Sequence, residues 1–119
     1  MIRLDEDLII FDDNGKQIPV YIEGDAPQDE DLPSEYYTVS EDATTNAVSA
    51  NNKAKAHLYE FTLTYYTIDA GEVYNGLIKA INQLIEKNYD VEGVGYNNGK
   101  YKKWHSRAVD VEKIDNLED

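Results

Sequence analysis

The chain has 119 residues, 24 acids against 11 bases and no cysteine, so disulfides, thiolate nucleophiles and sulfur-ligated zinc are excluded. A hydrophobic content of 41% with ten tyrosines lies above the composition of disordered chains, and the length suits a single domain, 1–119, with one core. The net charge of −13 is uneven, −11 in residues 1–52 and −2 in residues 53–119, and a field of that sign repels nucleic-acid phosphates at long range.

At the N-terminus, MIRLDEDLIIFDD sets four apolar residues, Leu8 to Phe11, between aspartates. An export signal would carry cations and a longer apolar run there, and no segment approaches the ~20 apolar residues of a membrane span. Leu8–Phe11, then Asp12-Asp13-Asn14-Gly15-Lys16, then Ile18–Ile22 predicts strand, tight turn, strand, because Asn14 and Gly15 both accept positive φ. A short helix over Asp5–Asp13, closed by Gly15, is the competing assignment for residues 1–16. Residues 24–35, GDAPQDEDLPSE, predict an acidic, turn-rich loop, since two prolines forbid a strand interior or long helix. EYYTVS, 35–40, returns to β-formers. EDATTNAVSANNKAKA, 41–56, has almost nothing large and apolar and predicts a long polar loop or a segment ordered only by a partner.

HLYEFTLTYYT, 57–67, predicts the clearest strand, with His57, Tyr59, Phe61, Leu63 and Tyr65 on the core face. After it, Asp69 with Glu72 starts a helix running to about Lys87, on which Val73, Tyr74, Leu77, Ile78, Ile81, Leu84 and Ile85 recur at spacings of three and four. Asn88 can take the left-handed capping conformation, and Lys87 suits the dipole. A second hairpin follows, with Asn97-Asn98-Gly99-Lys100 as its turn and Trp104 to Lys113 as its return arm, and IDNLED, 114–119, predicts a frayed tail. The sum is an α+β, two-layer fold: a mainly antiparallel sheet of five or six strands packed on one long helix.

Most chemical constellations fail on spacing. DDNG at 12–15 lacks the calcium-loop acids, since Ile10 and Tyr21 stand where they belong. GVGYNNGK at 93–100 misses both the phosphate-loop and dinucleotide glycines, so Gly93 and Gly95 mark a bulge or a close backbone approach. His57 and His105 lie on different strands without further ligands, and no nucleophile elbow is present, which argues against an enzyme, a metal site or a cofactor. NGKYKKWHSR, 98–107, interleaves cations with aromatics as single-strand binders do, but lysines guarding a hairpin edge explain it as well. Lys100, Lys102, Lys103 and Arg107 are therefore candidate subunit-interface residues, facing Asp25, Asp29, Glu30 and Asp31 of an identical neighbour.

The succession IPVY, an acidic proline-bearing loop, PSEYYTV, a polar stretch, YEFTLTYYT, the helix LIKAINQLIEKN and YDVEGVGY, within residues 18–112, resembles the tail-completion and tail-terminator proteins of long-tailed bacteriophages, also described as head-tail joining or minor capsid proteins. The resemblance implies an α+β sandwich of a sheet with one or two helices. It implies a virion protein assembled in the host cytoplasm as a ring, commonly a hexamer, that caps the tail tube and joins it to the head. The implied partners are copies of itself, the tail tube protein and head-tail connector proteins, with no membrane, cofactor or specific nucleic acid. Such proteins usually begin with a helix before the IPVY strand, for which this chain offers Asp5–Asp13 alone. An acidic inhibitor or DNA mimic acting on a host enzyme is the alternative that the net charge suggests.

Overall fold

Strand formers dominate the chain, and their pairing accounts for most of its backbone hydrogen bonds. The computed structural model describes residues 2–50 and 53–116. In chain order it contains α1 (Leu4–Asp7), β1 (Val20–Ile22), a 3-10 turn (Asp29–Asp31), β2 (Glu35–Ala50), β3 (Lys53–Thr67), a 3-10 turn (Ala70–Glu72) leading into α2 (Val73–Glu86), β4 (Asp90–Val91), β5 (Tyr96–Tyr101) and β6 (Trp104–Asn116). The six strands form one mixed sheet in the order β1-β2-β3-β6-β4, with β5 also on β6. β1 runs parallel to β2, and the other pairs are antiparallel.

The α+β class and two-layer plan agree with expectation, but the sheet outweighs the helix. α2 has 14 residues rather than the five turns anticipated from Asp69 to Lys87, because its first turn is 3-10, with Asp69 Oδ1 accepting the Gly71 amide at 2.9 Å. Its C-terminus is as expected, with Asn88 at φ 67°. Leu77, Ala80, Ile81 and Leu84 face the sheet. Tyr74 and Ile85, expected in that stripe, are exposed, since a 14-residue helix needs a narrow apolar seam against one sheet. The core joins them to Tyr37 and Val39 of β2, Tyr59, Phe61, Leu63 and Tyr65 of β3, and Val109 and Val111 of β6.

The N-terminus completes that layer in a form between the two assignments. Residues 4–7 make one helical turn, and Leu4, Leu8, Ile10 and Ile18 enter the core beside α2. The expected hairpin is reduced to one antiparallel bridge, Phe11 with Gln17, and β1 pairs with β2 instead. Its turn is closed by Asp12, whose Oδ1 accepts the amides of Asn14 and Lys16. Gly15 takes positive φ there and Asn14 does not.

Residues 41–56 are not a loop. β2 continues to Ala50 and pairs with β3 down to Ala50 opposite Lys53, with register shifts between Glu41 and Ala43 and among Asn46, Val48 and Ser49. Strand pairing satisfies these backbone groups without demanding large side chains, so the lack of apolar residues was no sign of a loop. Residues 114–116, expected to fray, pair with 56–58, while 117–119 lie outside the described residues. The second hairpin turns at Lys102–Lys103, with Lys102 at φ 52°, not at Asn97–Lys100, where a bulge between Asn97 and Gly99 sits instead. At Gly95, φ is 80° and an added Cβ would stand 2.4 Å from the Ala108 carbonyl oxygen, the close approach expected from the sequence.

Three core tyrosines carry their hydroxyls inward. Tyr37 donates to the Gly76 carbonyl at 2.7 Å, Tyr65 to the Glu35 carboxylate and Tyr89 to the Asp7 carboxylate. Burial, reinforced by the neighbouring carboxylates, pushes all three phenols well above the ordinary tyrosine range. Tyr36 is pushed to about 12, first by burial and then by Tyr66 beside it. A folded pKa above the unfolded one gives stability that is present below the unfolded value and lost as pH rises beyond it. We therefore expect stability to fall steeply above about pH 10. Tyrosinate absorbance from these residues should appear together with loss of the circular dichroism signal; a full tyrosinate signal from the still-folded chain would contradict the buried network.

Candidate assembly surface

The acidic loop and the basic hairpin end meet within one chain. The 24–34 loop folds over the sheet face opposite α2, placing Asp29 where it forms an ion pair with Lys102 Nζ and accepts from Tyr101 Oη at 2.8 Å. Hydrogen bonds from Lys102 first, and then from Tyr101, hold the Asp29 carboxyl below the usual carboxylate range. Trp104 Nε1 donates to the Pro33 carbonyl at 3.0 Å, tying down the loop's far end.

Beneath the loop lies a second, smaller core that the sequence did not announce. Tyr36 stacks on Tyr66 at 4.7 Å and meets Trp104 edge-on at 6.1 Å, with Tyr21 and Tyr101 at its margins. Tyr36 and Trp104 are buried although they face away from α2. The alternation of β2 and β6 held the signal, since Tyr36 and Trp104 occupy the outward parity of their strands.

The candidate residues therefore divide. Asp29 and Lys102 satisfy each other, and Lys103 lies over the Trp104 ring at 5.0 Å. Arg107 points to the other side of the sheet, donating to the Val94 and Gly95 carbonyls at 3.0 Å and stacking on Tyr74 at 5.1 Å, where it locks the β4–β5 connection to α2. Asp25, Glu30, Asp31, Lys100 and Lys103 remain exposed.

Beyond the loop the same sheet face has no covering layer among the described residues. Thr38, Ser40, Thr62 and Thr64 floor a cleft of about 270 Å3. Farther along, Asp42 accepts hydrogen bonds from Ser40 and Thr62, and Asp90, Glu112 and Glu60 stand directly opposite one another on β4, β6 and β3. Like charges in register oppose pairing, so this row is held by the ladder around it and not by its side chains. Its members are separated by up to 52 positions in a half of the chain with nearly balanced charge, and only strand register brings them together. Leu58 and Ile114 form the next pair on this face, Ile114 half exposed.

Among the described residues no group of three His, Cys, Asp or Glu side chains is arranged to hold a metal ion, and no helix is long and apolar enough to cross a membrane. Comparisons of the chain with models of known families, with curated proteins and with solved structures find no match.

Proposed function

We propose that this chain is a non-enzymatic virion subunit that assembles into a ring, closing the head-proximal end of a bacteriophage tail tube and joining it to the head. The observation that carries this reading is the distribution of surface around a small core. One face of the sheet is packed by α2 and the N-terminal segment, while much of the other, together with a two-stranded arm built from residues 44–50 and 53–57, is left for neighbours. The long axis of 52 Å, against 26 and 24 Å across, and a radius of gyration of 15.5 Å describe a chain more extended than the about 13.5 Å of a compact domain this long. Such protrusions cost conformational entropy that contacts in an assembly offset. The order of elements resembling tail-completion proteins supports the same reading, and the partners it suggests are further copies, the tail tube protein and a head-tail connector.

One feature favours the second reading, an acidic inhibitor that imitates DNA. The row Asp90, Glu112 and Glu60 sets carboxylates on three adjacent strands of one folded face, where a phosphate mimic would present them. Native mass across concentration separates the two. A ring subunit is expected to pass from the 13.6 kDa chain to a single closed multiple of it, alone or on addition of tail tube protein. A monomer under every condition, with or without the tube protein, would overturn the ring and leave the mimic.

A further inference from the structure

Building on the ring reading, we propose that the β2–β3 arm of one subunit seats on the uncovered sheet face of the next copy, across Leu58 and Ile114 and against the carboxylate row Asp90, Glu112 and Glu60.

The arm and its seat carry opposite charge. Between Asp42 and Glu60 the sequence holds no acid and two lysines, Lys53 and Lys55, in a chain whose net charge is −13. The seat joins three carboxylates in register to an apolar step, Leu58 beside Ile114, with Ile114 49% exposed. An apolar centre with a charged rim is the ordinary anatomy of a protein interface, and opposite potentials on the two patches set orientation and encounter rate.

The occupant is a second copy because the arm cannot reach its own seat. Lys53 and Glu60 lie on one continuous strand seven residues apart, about 23 Å at the strand rise. The arm also has room for a partner. Past Asn116 opposite Ala56, β2 and β3 continue without a third strand among the described residues, and a two-stranded ribbon alone is marginally stable in water. Arm and seat are different patches of the same chain, so their contact is head-to-tail and closes into a ring if the rotation permits. Nucleic acid is a poor occupant of a carboxylate row.

The absence of native cysteine permits a direct test. The full-length Lys53→Cys, Glu112→Cys double variant, mildly oxidised at concentrations where the unsubstituted protein assembles, is expected to give a non-reducing ladder of covalent multimers ending in the ring species. Each single variant should stop at dimers. A bridge within one chain is excluded, because the about 7 Å Cα limit of a disulfide is far below the strand separation of these sites. As a second measurement, Lys53→Glu with Lys55→Glu should raise the concentration for half-assembly about tenfold, with the shift shrinking in high salt. Rings by native mass with no ladder beyond that of the single variants would overturn the arm contact and leave the ring reading standing. Monomers throughout would overturn both, and covalent dimers alone from the double variant would overturn the head-to-tail closure.

Discussion

Trp104→Ala is expected to lower the unfolding free energy by about 3–5 kcal/mol, a large part of the roughly 5–15 kcal/mol that a domain usually has. The indole is 2% exposed and fills the small core on the face away from α2, between Tyr36 and Tyr101. Its removal leaves a cavity, orphans the Pro33 carbonyl and loosens the 24–34 loop, which keeps the exposed contact of Asp29 with Tyr101 and Lys102 and the bond from the Ile68 amide to the Ser34 carbonyl. Trp104→Phe separates these effects. It keeps most of the packing and loses the hydrogen bond, at roughly 1–2 kcal/mol. Urea melts followed by circular dichroism give both values, and limited proteolysis between Gly24 and Ser34 should quicken in the alanine variant. A Trp104→Ala melt within 1 kcal/mol of the parent, with the loop still protected, would show that the second core carries little stability.

Gly76→Ala is expected to destabilise by roughly 2–3 kcal/mol, although the same change in an exposed helix stabilises by up to about 1 kcal/mol. An added Cβ would lie 2.1 Å from Tyr65 Cε2 and 2.3 Å from Cζ. The ring cannot retreat, because it is 1% exposed, packs on Tyr37 at 4.9 Å and donates its hydroxyl to Glu35. Gly76 also presents its carbonyl to the Tyr37 hydroxyl, so displacing the helix would break a buried hydrogen bond. Tyr65→Phe should not relieve the clash, since it removes the hydroxyl oxygen at 2.7 Å but leaves the two nearer ring carbons in place. Tyr65→Leu should relieve it, so that Gly76→Ala costs much less in that background, a coupling that a double-mutant cycle measures directly. An alanine variant as stable as the parent would mean that α2 sits farther from β3 than described.

Much of this architecture was legible along the chain because its signals are local. The alternation from Tyr59 to Tyr65, the apolar spacing of Leu77, Ile81 and Leu84, Asn88 as the helix terminator and the tight approach at Gly95 all follow from strand and helix periods or from backbone sterics. What failed concerned edges and lengths. The polar segment 41–56 was expected to be a loop because it lacks large apolar residues, yet its backbone groups are satisfied by the β2–β3 ladder, which does not demand them. The second turn moved from Asn97–Lys100 to Lys102–Lys103 because Tyr101 pairs opposite Trp104, a cross-strand preference stronger than the asparagine-glycine turn signal.

The candidate site followed the same division. Sequence alone determined the charge asymmetry, the lack of thiol chemistry, the acidic loop and the basic hairpin, since composition and order need no folding to be read. The tertiary structure decided that Asp29 and Lys102 satisfy each other, that Arg107 serves α2, and that Asp90, Glu112 and Glu60 form one row. Those facts depend on which strands are neighbours and in what register, and register is settled by pairing between residues far apart in the chain, a quantity no local window contains.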